Sequence, residues 1–332
     1  PIEAVSIDLG VRYEDATQEV VPLGVDGLPN GSTNATLLNN DYWLPAATLT
    51  WEVMDSLQLR LNASKTIARP QFRELILQTY YDPETNRQYT GNPGLVDSKL
   101  TNYEARLEYY WGSGSKASLA GFYKDIKNPI EVFSSFNDNS VVSRFANAPS
   151  AKLYGAEVEI QWNKDLYSLG DWWDSKRFVA IANYTYTKSD IRVQSGDLVN
   201  VPELGGLQAA TNFFEDGTAL TGQSDHIANV QIGLEDLDRV SQATFLFNYG
   251  SKRVISRSTL SRPDIIEDPG LTIDFVVRQG FELAGADLEL KLEARNLTGR
   301  DHFEYQSTGT TRIENNSYKV GRSFAISLSA EF

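Results

Sequence analysis

The sequence predicts an all-β protein, specifically a transmembrane antiparallel β-barrel. Three observations predict it: apolar and polar residues alternate in segments along the whole chain, the connections alternate between short and long, and tryptophans gather near one end of the segments. The closing stretch SFAISLSAEF shows the alternation most clearly, because Phe324, Ile326, Leu328 and Phe332 share one face of a strand while small polar residues occupy the other.

Composition narrows the class of protein before any motif is considered. The 332 residues contain no cysteine, which excludes disulfides and thiolate metal sites. The mean hydropathy of -0.35 argues against helical membrane spans, whereas an alternating strand crosses a membrane with about 9–11 residues and leaves hydropathy low. The net charge of -14, without a basic cluster, argues against nucleic acid as a partner.

About twelve segments carry the alternating pattern at a length that suits tilted spanning strands. We place them near residues 4–16, 42–54, 56–68, 99–111, 116–128, 150–163, 176–190, 224–235, 239–251, 270–282, 286–297 and 317–332.

The connections between these segments alternate in length. Short turns are expected at Asp55 and near 112–115, 236–238 and 283–285, and the connection 164–175 departs from the pattern by being moderately long. The long connections are expected at 17–41, 69–98, 129–149, 191–223, 252–269 and 298–316. Outer-membrane barrels have short periplasmic turns and long extracellular loops, so this alternation favours that class.

Tryptophans mark the end of the barrel that carries the short turns. Trp51, Trp111 and Trp162 lie at the same ends of three segments, and Trp172 and Trp173 lie in the next turn. Amphipathic aromatics gather at the two interfaces of a bilayer, so the positions fit an aromatic girdle.

The same alternation assigns the two faces of each strand. In the segment 286–296 the face predicted to contact lipid carries Leu288, Leu290, Leu292 and Ala294. The face predicted to line the lumen carries Asp287, Glu289, Lys291, Glu293 and Arg295. A lumen with alternating charges is expected to be wet or to hold another polar body.

Several motifs carry a resemblance to a known family. They are ASKTIARPQFREL at Ala63–Leu75, GNPGL at Gly91–Leu95, NYEARLEYY at Asn102–Tyr110, NAPSAKLYGAEVE at Asn147–Glu159, EARNLT at Glu293–Thr298 and the closing GRSFAISLSAEF from Gly321. Together they resemble the barrel of TonB-dependent outer-membrane transporters, in the branch often associated with carbohydrate uptake. Within them, Gly155 permits a kink or a close backbone approach.

The resemblance implies a 22-stranded barrel of which residues 1–332 are the carboxyl-terminal portion, about twelve strands. The plug domain, the TonB box and the first strands would then lie outside this chain. It also implies a protein of the Gram-negative outer membrane, in contact with its lipid, that is not an enzyme and has no cofactor. The implied partners are the TonB complex, engaged through the missing amino-terminal region, the outer-membrane assembly machinery and a small-molecule substrate.

Candidate substrate contacts are the aromatic residues of the long loops, because aromatic rings stack on sugars and other flat ligands. They are Tyr80, Tyr81, Tyr89, Phe136, Phe213, Phe214, Phe303 and Tyr305. The acidic loops favour a neutral oligosaccharide, with a siderophore or another small ligand as the alternative. The terminal aromatic Phe332, with Phe324, Ile326 and Leu328, resembles the signal read by the assembly machinery, although Ala330 stands where that signal usually has an aromatic.

Two other classes of function stay open on the sequence alone. One is a self-contained twelve-stranded outer-membrane channel or lipid hydrolase, in which His226 would be the base, although no local motif selects a serine nucleophile. The other is a soluble all-β binding module. The two histidines, His226 and His302, lack the spacing of a metal site, so no metal and no catalytic residue is predicted.

Overall fold

Antiparallel strands make up most of the chain. The computed structural model describes residues 4–21, 23, 35–112, 114–137, 140–259, 262–283 and 285–331. In chain order the strands are β1 (Val5–Val20), β2 (Thr36–Met54), β3 (Leu57–Ala68), β4 (Thr79–Asp82), β5 (Arg87–Thr90), β6 (Ser98–Trp111), β7 (Ser115–Lys127), β8 (Ile130–Asn137), β9 (Ser140–Asn147), β10 (Ser150–Asp165), β11 (Lys176–Arg192), β12 (Leu198–Val201), β13 (Gly206–Ala209), β14 (His226–Asp236), β15 (Ser241–Gly250), β16 (Arg253–Ser258), β17 (Ile265–Glu267), β18 (Gly270–Leu283), β19 (Ala286–Arg295), β20 (His302–Thr308), β21 (Thr311–Tyr318) and β22 (Ser323–Glu331).

The helices are short. One is α-helical, α1 (Phe72–Leu75), and the others are 3-10 turns at Tyr167–Leu169, Asp171–Trp173, Pro202–Leu204 and Ala210–Asn212. Within the residues that the structure describes, no helix has the length and apolar content required to cross a membrane.

Twelve strands form one continuous sheet, which we call the main sheet. Its order is β1-β2-β3-β6-β7-β10-β11-β14-β15-β18-β19-β22, and each neighbouring pair is antiparallel. The predicted fold class is confirmed, and each predicted segment corresponds to one of these strands. The twelfth predicted segment differs most from the strand observed. Strand β22 begins at Ser323 and not at 317, because Gly321 has a φ of 74° and Tyr318 belongs to β21.

The connections of the main sheet separate into two ends. At the turn end β2 passes to β3 through residues 55–56 and β18 passes to β19 through 284–285, whereas the connection between β10 and β11 holds two 3-10 turns. At the loop end every connection is long, and most contain strands of their own. The predicted alternation of short and long connections is therefore present.

The register of the main sheet gives it two chemically different faces. On the aliphatic face Leu290 lies opposite Leu328 and Leu292 lies opposite Ile326, which is 72% exposed. On the polar face Arg278 forms two hydrogen bonds with Glu289, at 2.7 and 2.8 Å. Large apolar side chains therefore face away from the protein, while charged side chains pair with each other on the opposite face.

Most of the loop strands form a second sheet at the loop end, which we call the loop sheet. Its order is β21-β20-β17-β16-β8-β9-β5-β4, with parallel pairing where β16 meets β8 and where β5 meets β9. The strands β12 and β13 pair as a separate hairpin. Apart from the end of β21, all these segments lie in the predicted long loops. They pair as short hairpins within each loop, and the hairpins join across loops only where β16 meets β8, β17 meets β20 and β5 meets β9.

Most of the buried apolar residues lie among these loops, and a few belong to strands of the main sheet, such as Ala120, Ile126 and Ala151. One cluster joins the loop-end parts of β7, β10 and β11 to the loop strands and includes Phe133 and Ile191. A smaller cluster contains Leu75 and Phe145. The loops are thus held by hydrophobic cores of their own at the loop end of the main sheet.

Substitutions on the two faces of β19 should have very different effects. Leu290→Arg places a charge on the face predicted to contact lipid, and at mid-membrane depth it should cost about 2–4 kcal/mol and impair assembly. The matched change Glu289→Gln alters a solvent-screened ion pair, which contributes little to stability, and should be tolerated. Assembly is measured as the heat-shifted folded band on a gel. Equal sensitivity of the two positions would contradict the assignment of faces.

Candidate functional site

The predicted aromatic residues do not form one cluster. Tyr80 and Tyr89 stack on each other across the β4-β5 hairpin with ring centroids 5.8 Å apart, and Tyr89 also stacks on Phe145 at 5.9 Å. Tyr81 is exposed and its hydroxyl donates to Asn86 at 2.6 Å. The first two rings are occupied by protein contacts, so they hold the hairpin together.

The aromatic residues of β20 are also engaged within the protein. The guanidinium of Arg312 lies 4.3 Å from the ring centroid of Phe303 and 3.5 Å from that of Tyr305. Tyr305 is buried in the loop sheet. Phe332 lies outside the described residues, as does the side chain of Phe136 in β8.

Phe213 and Phe214 are placed differently, because they line a cavity. Both follow the 3-10 turn Ala210–Asn212, and Phe213 meets Phe133 edge to face with centroids 5.0 Å apart. We call the space beside them the loop cavity; its volume is about 1160 Å³. That volume is slightly above the range of about 300–1,000 Å³ for pockets that hold drug-sized ligands.

The loop cavity also has a polar part to its lining. It contains Arg257, Ser258, Thr259, Arg262 and Asp264, from β16 and the segment after it. Glu215 and Asp216 extend the wall beside the aromatic residues. The cavity thus offers an apolar surface and both signs of charge, which suits a small ligand with a flat part and polar groups.

Arg257 is the buried charge of this site, with only 4% of its surface exposed. Its Nε lies 3.5 Å from Oε2 of Glu131, and its Nη1 lies 3.4 Å from Oδ2 of Asp264. Its Nε and Nη2 have no hydrogen-bond acceptor among the described residues. A buried donor without an acceptor costs about 1–3 kcal/mol, so the arginine is poised to gain from a ligand oxygen.

Glu131 is the principal counter-charge of Arg257. The Thr221 backbone N–H donates to its carboxylate at 3.0 Å. Burial nevertheless outweighs this donor and the guanidinium, and it raises the pKa of Glu131 to about 7. The carboxylate is therefore held close to its titration point at neutral pH.

Three buried serines fix the strand that carries Arg257. The hydroxyl of Ser134 lies 2.6 Å from that of Ser256 and 3.3 Å from that of Ser143, which joins β8, β16 and β9. Register places Arg257 opposite Phe133, so the guanidinium and the aromatic wall are aligned by the same pairing. Sequence reasoning missed these residues, since single arginines and serines in loops carry no pattern.

The histidines occupy other places. The imidazole Nδ1 of His226 lies 2.7 Å from the hydroxyl of Tyr184, on the main sheet, and Ser251 bonds only to the backbone of His226. The imidazole of His302 contacts Glu304 at 2.9 Å and stacks on Tyr318. The described part of the chain contains no group of three His, Asp or Glu residues that could hold a metal ion.

Comparison with known proteins gives one family match. A family model described as "TonB dependent receptor-like, beta-barrel" matches residues 1–297. No curated protein matches the chain.

Solved structures resemble the chain in fold. One is a variant of the ferric enterobactin receptor PfeA from Pseudomonas aeruginosa, with 18% identity, 98% of this chain and 43% of that chain covered, and a TM-score of 0.56. Another is the FrpB iron transporter from Neisseria meningitidis, with 13% identity, 99% and 43% covered, and a TM-score of 0.56. A third is the ferric-catecholate import receptor Fiu from K12 E. coli, with 14% identity, 98% and 42% covered, and a TM-score of 0.57.

These similarities cover nearly all of this chain but less than half of each relative. The chain spans about 43% of the length of the first structures that it matches. At these identities the likeness shows the fold alone.

The loop assembly should be more stable in mild acid than in mild base. The pKa of Glu131 rises from 4.5 to about 7 on folding, so its protonated form favours the folded loops, and stability falls as pH rises from about 4.5 to about 7. Cleavage of the loops by a protease, measured against pH, checks this. The Glu131→Gln variant should show a flatter profile, whereas Glu203→Gln, at a more exposed ion pair, should follow the wild type. Identical profiles for wild type and Glu131→Gln would contradict the assignment.

Proposed function

The chain belongs to the family of TonB-dependent receptor β-barrels, and from this premise we propose that it is the carboxyl-terminal portion of an outer-membrane transporter for a scarce small-molecule nutrient. Uptake would be driven by energy that the TonB complex transmits from the inner membrane. The family match over residues 1–297 is the observation that carries the proposal. The protein would act as a transporter and not as an enzyme.

The topology of the main sheet supports a barrel larger than this chain. Strands β1 and β22 are the two edges of the sheet, and each pairs with one strand only among the described residues. A strand edge cannot stay open in lipid, because its backbone groups would have no hydrogen-bond partner. We therefore propose that strands outside residues 1–332 close the barrel, as the share of each solved relative that the chain covers also suggests. A self-contained twelve-stranded channel or hydrolase would instead need β1 to pair with β22.

The terminal strand β22 supports the proposal that the outer-membrane assembly machinery recognises this protein. Phe324, Ile326 and Leu328 lie on the aliphatic face and are 71%, 72% and 64% exposed. Their alternation gives an apolar row that another protein can read at a strand edge. The proposed partner is the outer-membrane assembly machinery, and the proposed location is the outer membrane of a Gram-negative bacterium.

The loop cavity is the proposed place of ligand capture. Phe213 and Phe214 supply an apolar wall, and the donors of Arg257 supply a point of attachment for an oxyanion. The sequence favoured a neutral oligosaccharide, whereas the two Arg257 donors without an acceptor, Nε and Nη2, favour a ligand that bears a carboxylate or a similar group. Acidic oligosaccharides and ferric complexes with carboxylate ligands both fit. Because the solved relatives are named as ferric enterobactin and ferric-catecholate receptors, a panel of test ligands should include a ferric complex.

Uptake by the full-length protein should require TonB and depend on Arg257. Cells are offered a labelled neutral oligosaccharide, an acidic oligosaccharide and a ferric carboxylate complex, with and without TonB. Arg257→Gln removes a charged donor and should weaken ligand binding on the order of tenfold. Arg253→Gln is the matched control, since Arg253 lies on the same strand, pairs with Glu267 at 2.8 Å and does not line the cavity.

The same experiment separates a local effect from loop unfolding. Because Arg257→Gln leaves Glu131 buried without its counter-charge, the double variant Arg257→Gln with Glu131→Gln is measured beside it. Uptake that persists without TonB would exclude active transport. Equal losses for Arg257→Gln and Arg253→Gln would remove the loop cavity from the proposal.

Hydrogen exchange on the full-length protein tests closure by additional strands. Alternate backbone amides of β1 and β22 point away from their partners in this chain, so they should exchange as slowly as those of the central strand β7 if further strands pair with them. Mass spectrometry of peptides from these strands provides the measurement. Fast exchange in β1 and β22, with slow exchange in β7, would show that the two edges are open.

A further inference from the structure

The aliphatic face of the main sheet contains an apolar depression, which we call the outer groove. Its volume is about 850 Å³ and it crosses five neighbouring strands from β2 to β10. Its floor consists of small residues in two rows: Ala105, Gly121 and Ala156 lie opposite one another, and Ala47 and Ala63 lie one row nearer the loop end. A side chain added at Gly121 would meet nothing within 4 Å, which shows how open the floor is.

A row of tyrosines forms the side of the groove nearest the loop end. Tyr103, Tyr123 and Tyr154 lie opposite one another on β6, β7 and β10, two residues from the small floor residues of the same strands. Tyr103 is 51% exposed and Tyr154 is 42% exposed. Tyrosine rings with one apolar and one polar end settle at the headgroup level of a bilayer, so the floor lies at the depth of the acyl chains.

Lysines follow the tyrosine row toward the loop end. Lys127 and Lys152 lie on the same face by register, and Lys99 lies directly opposite Lys127. All three are exposed, and none forms an ion pair within the described part of the chain. Like charges directly opposite each other destabilise a sheet, so this pairing has a cost that an anionic partner would remove.

The lysines differ in how they are placed. The ammonium of Lys99 lies 5.0 Å from the ring centroid of Tyr42. Lys152 lies opposite Asp125 on β7 and Asp190 on β11 without reaching either carboxylate. Lys188, beside Tyr154, pairs with Asp225. Lys65 on β3 is on the same face and exposed, but three strands from β10. Lys127 and Lys152 are thus two cations on neighbouring strands above the groove, and the aspartates beside them can accept hydrogen bonds from hydroxyl groups.

We propose that the outer groove and these lysines bind one acylated, phosphorylated sugar lipid of the outer leaflet. An acyl chain would lie along the small-residue floor, a phosphate would lie between Lys127 and Lys152, and sugar hydroxyls would meet the tyrosine and aspartate side chains. The proposal rests on the proposed function in one respect, because that function places the loop end outside the cell. The charge of the lysines and the depth of the groove in the bilayer both favour this kind of lipid. A lipid without phosphate would leave the ammonium groups of Lys127 and Lys152 unpaired.

The experiment measures lipid retained by the full-length protein after detergent exchange. The wild type should retain about one phosphorylated sugar lipid per barrel, detected by native mass spectrometry. Lys127→Gln and Lys152→Gln should each lower affinity roughly fivefold, and the double variant about 30-fold. Lys164→Gln is the matched control, because Lys164 lies on the same face of β10 at the turn end. A fold check by heat-shifted mobility accompanies each variant.

A second pair of variants tests the acyl-chain part of the site. Gly121→Leu should fill the floor and release the lipid, whereas Ala182→Leu, on the same face but outside the groove, should not. Reconstitution with phosphorylated sugar lipid or with phosphatidylethanolamine separates the two possible sources of phosphate. Equal retention of both lipids, or equal losses in Lys164→Gln and the Lys127 and Lys152 variants, would overturn the proposal. Lipid retained by a protein that fails in uptake would count against the transport function alone.

Discussion

A strand that faces hydrocarbon can satisfy its backbone N–H and C=O groups only through a neighbouring strand, and this constraint organises the main sheet. From β1 to β22 each strand pairs antiparallel with the next along most of its length. Among the described pairs of the main sheet the register shifts once, between Glu52 and Met54, close to the turn end. Because the ladder is otherwise regular, alternation along the sequence translates directly into an aliphatic face and a polar face.

The loop end differs from the main sheet, because its water-facing loops bury charged groups. Arg87 pairs with Glu304, and Arg257 pairs with Glu131, with all four side chains almost fully buried. Buried charges are tolerated only when they are paired, so each pair ties together loops that are distant in sequence. The resulting rigidity surrounds the loop cavity, where one guanidinium keeps donors without an acceptor.

Alternation predicted the main sheet because its strands are long and two-faced, as in β19, where leucines and charged residues take turns. The loop strands escaped prediction for a physical reason. β16, RVISRS, pairs parallel with β8, and such pairing depends on the arrangement of distant loops. Among the aromatic residues predicted to contact ligand, Tyr80 and Tyr89 stack on each other and Phe213 and Phe214 line a cavity, and ligand contact stays a prediction for all four. The role of Arg257 follows from burial, which no local pattern encodes.

Gly155 lies at a place where small residues occupy both faces of the main sheet. It was expected to permit a close approach, and a Cβ there would meet the carbonyl oxygen of Tyr186 and lie 2.7 Å from Cζ of Phe122. Gly155 points to the polar face, while its neighbour Ala156 and the paired Gly121 point to the aliphatic face at the same level. Small residues therefore occupy both faces here, and Phe122 covers the inner side. The ring of Phe122 fills the space on the polar face that a side chain at position 155 would occupy, so the small residues of the outer groove leave no void behind them.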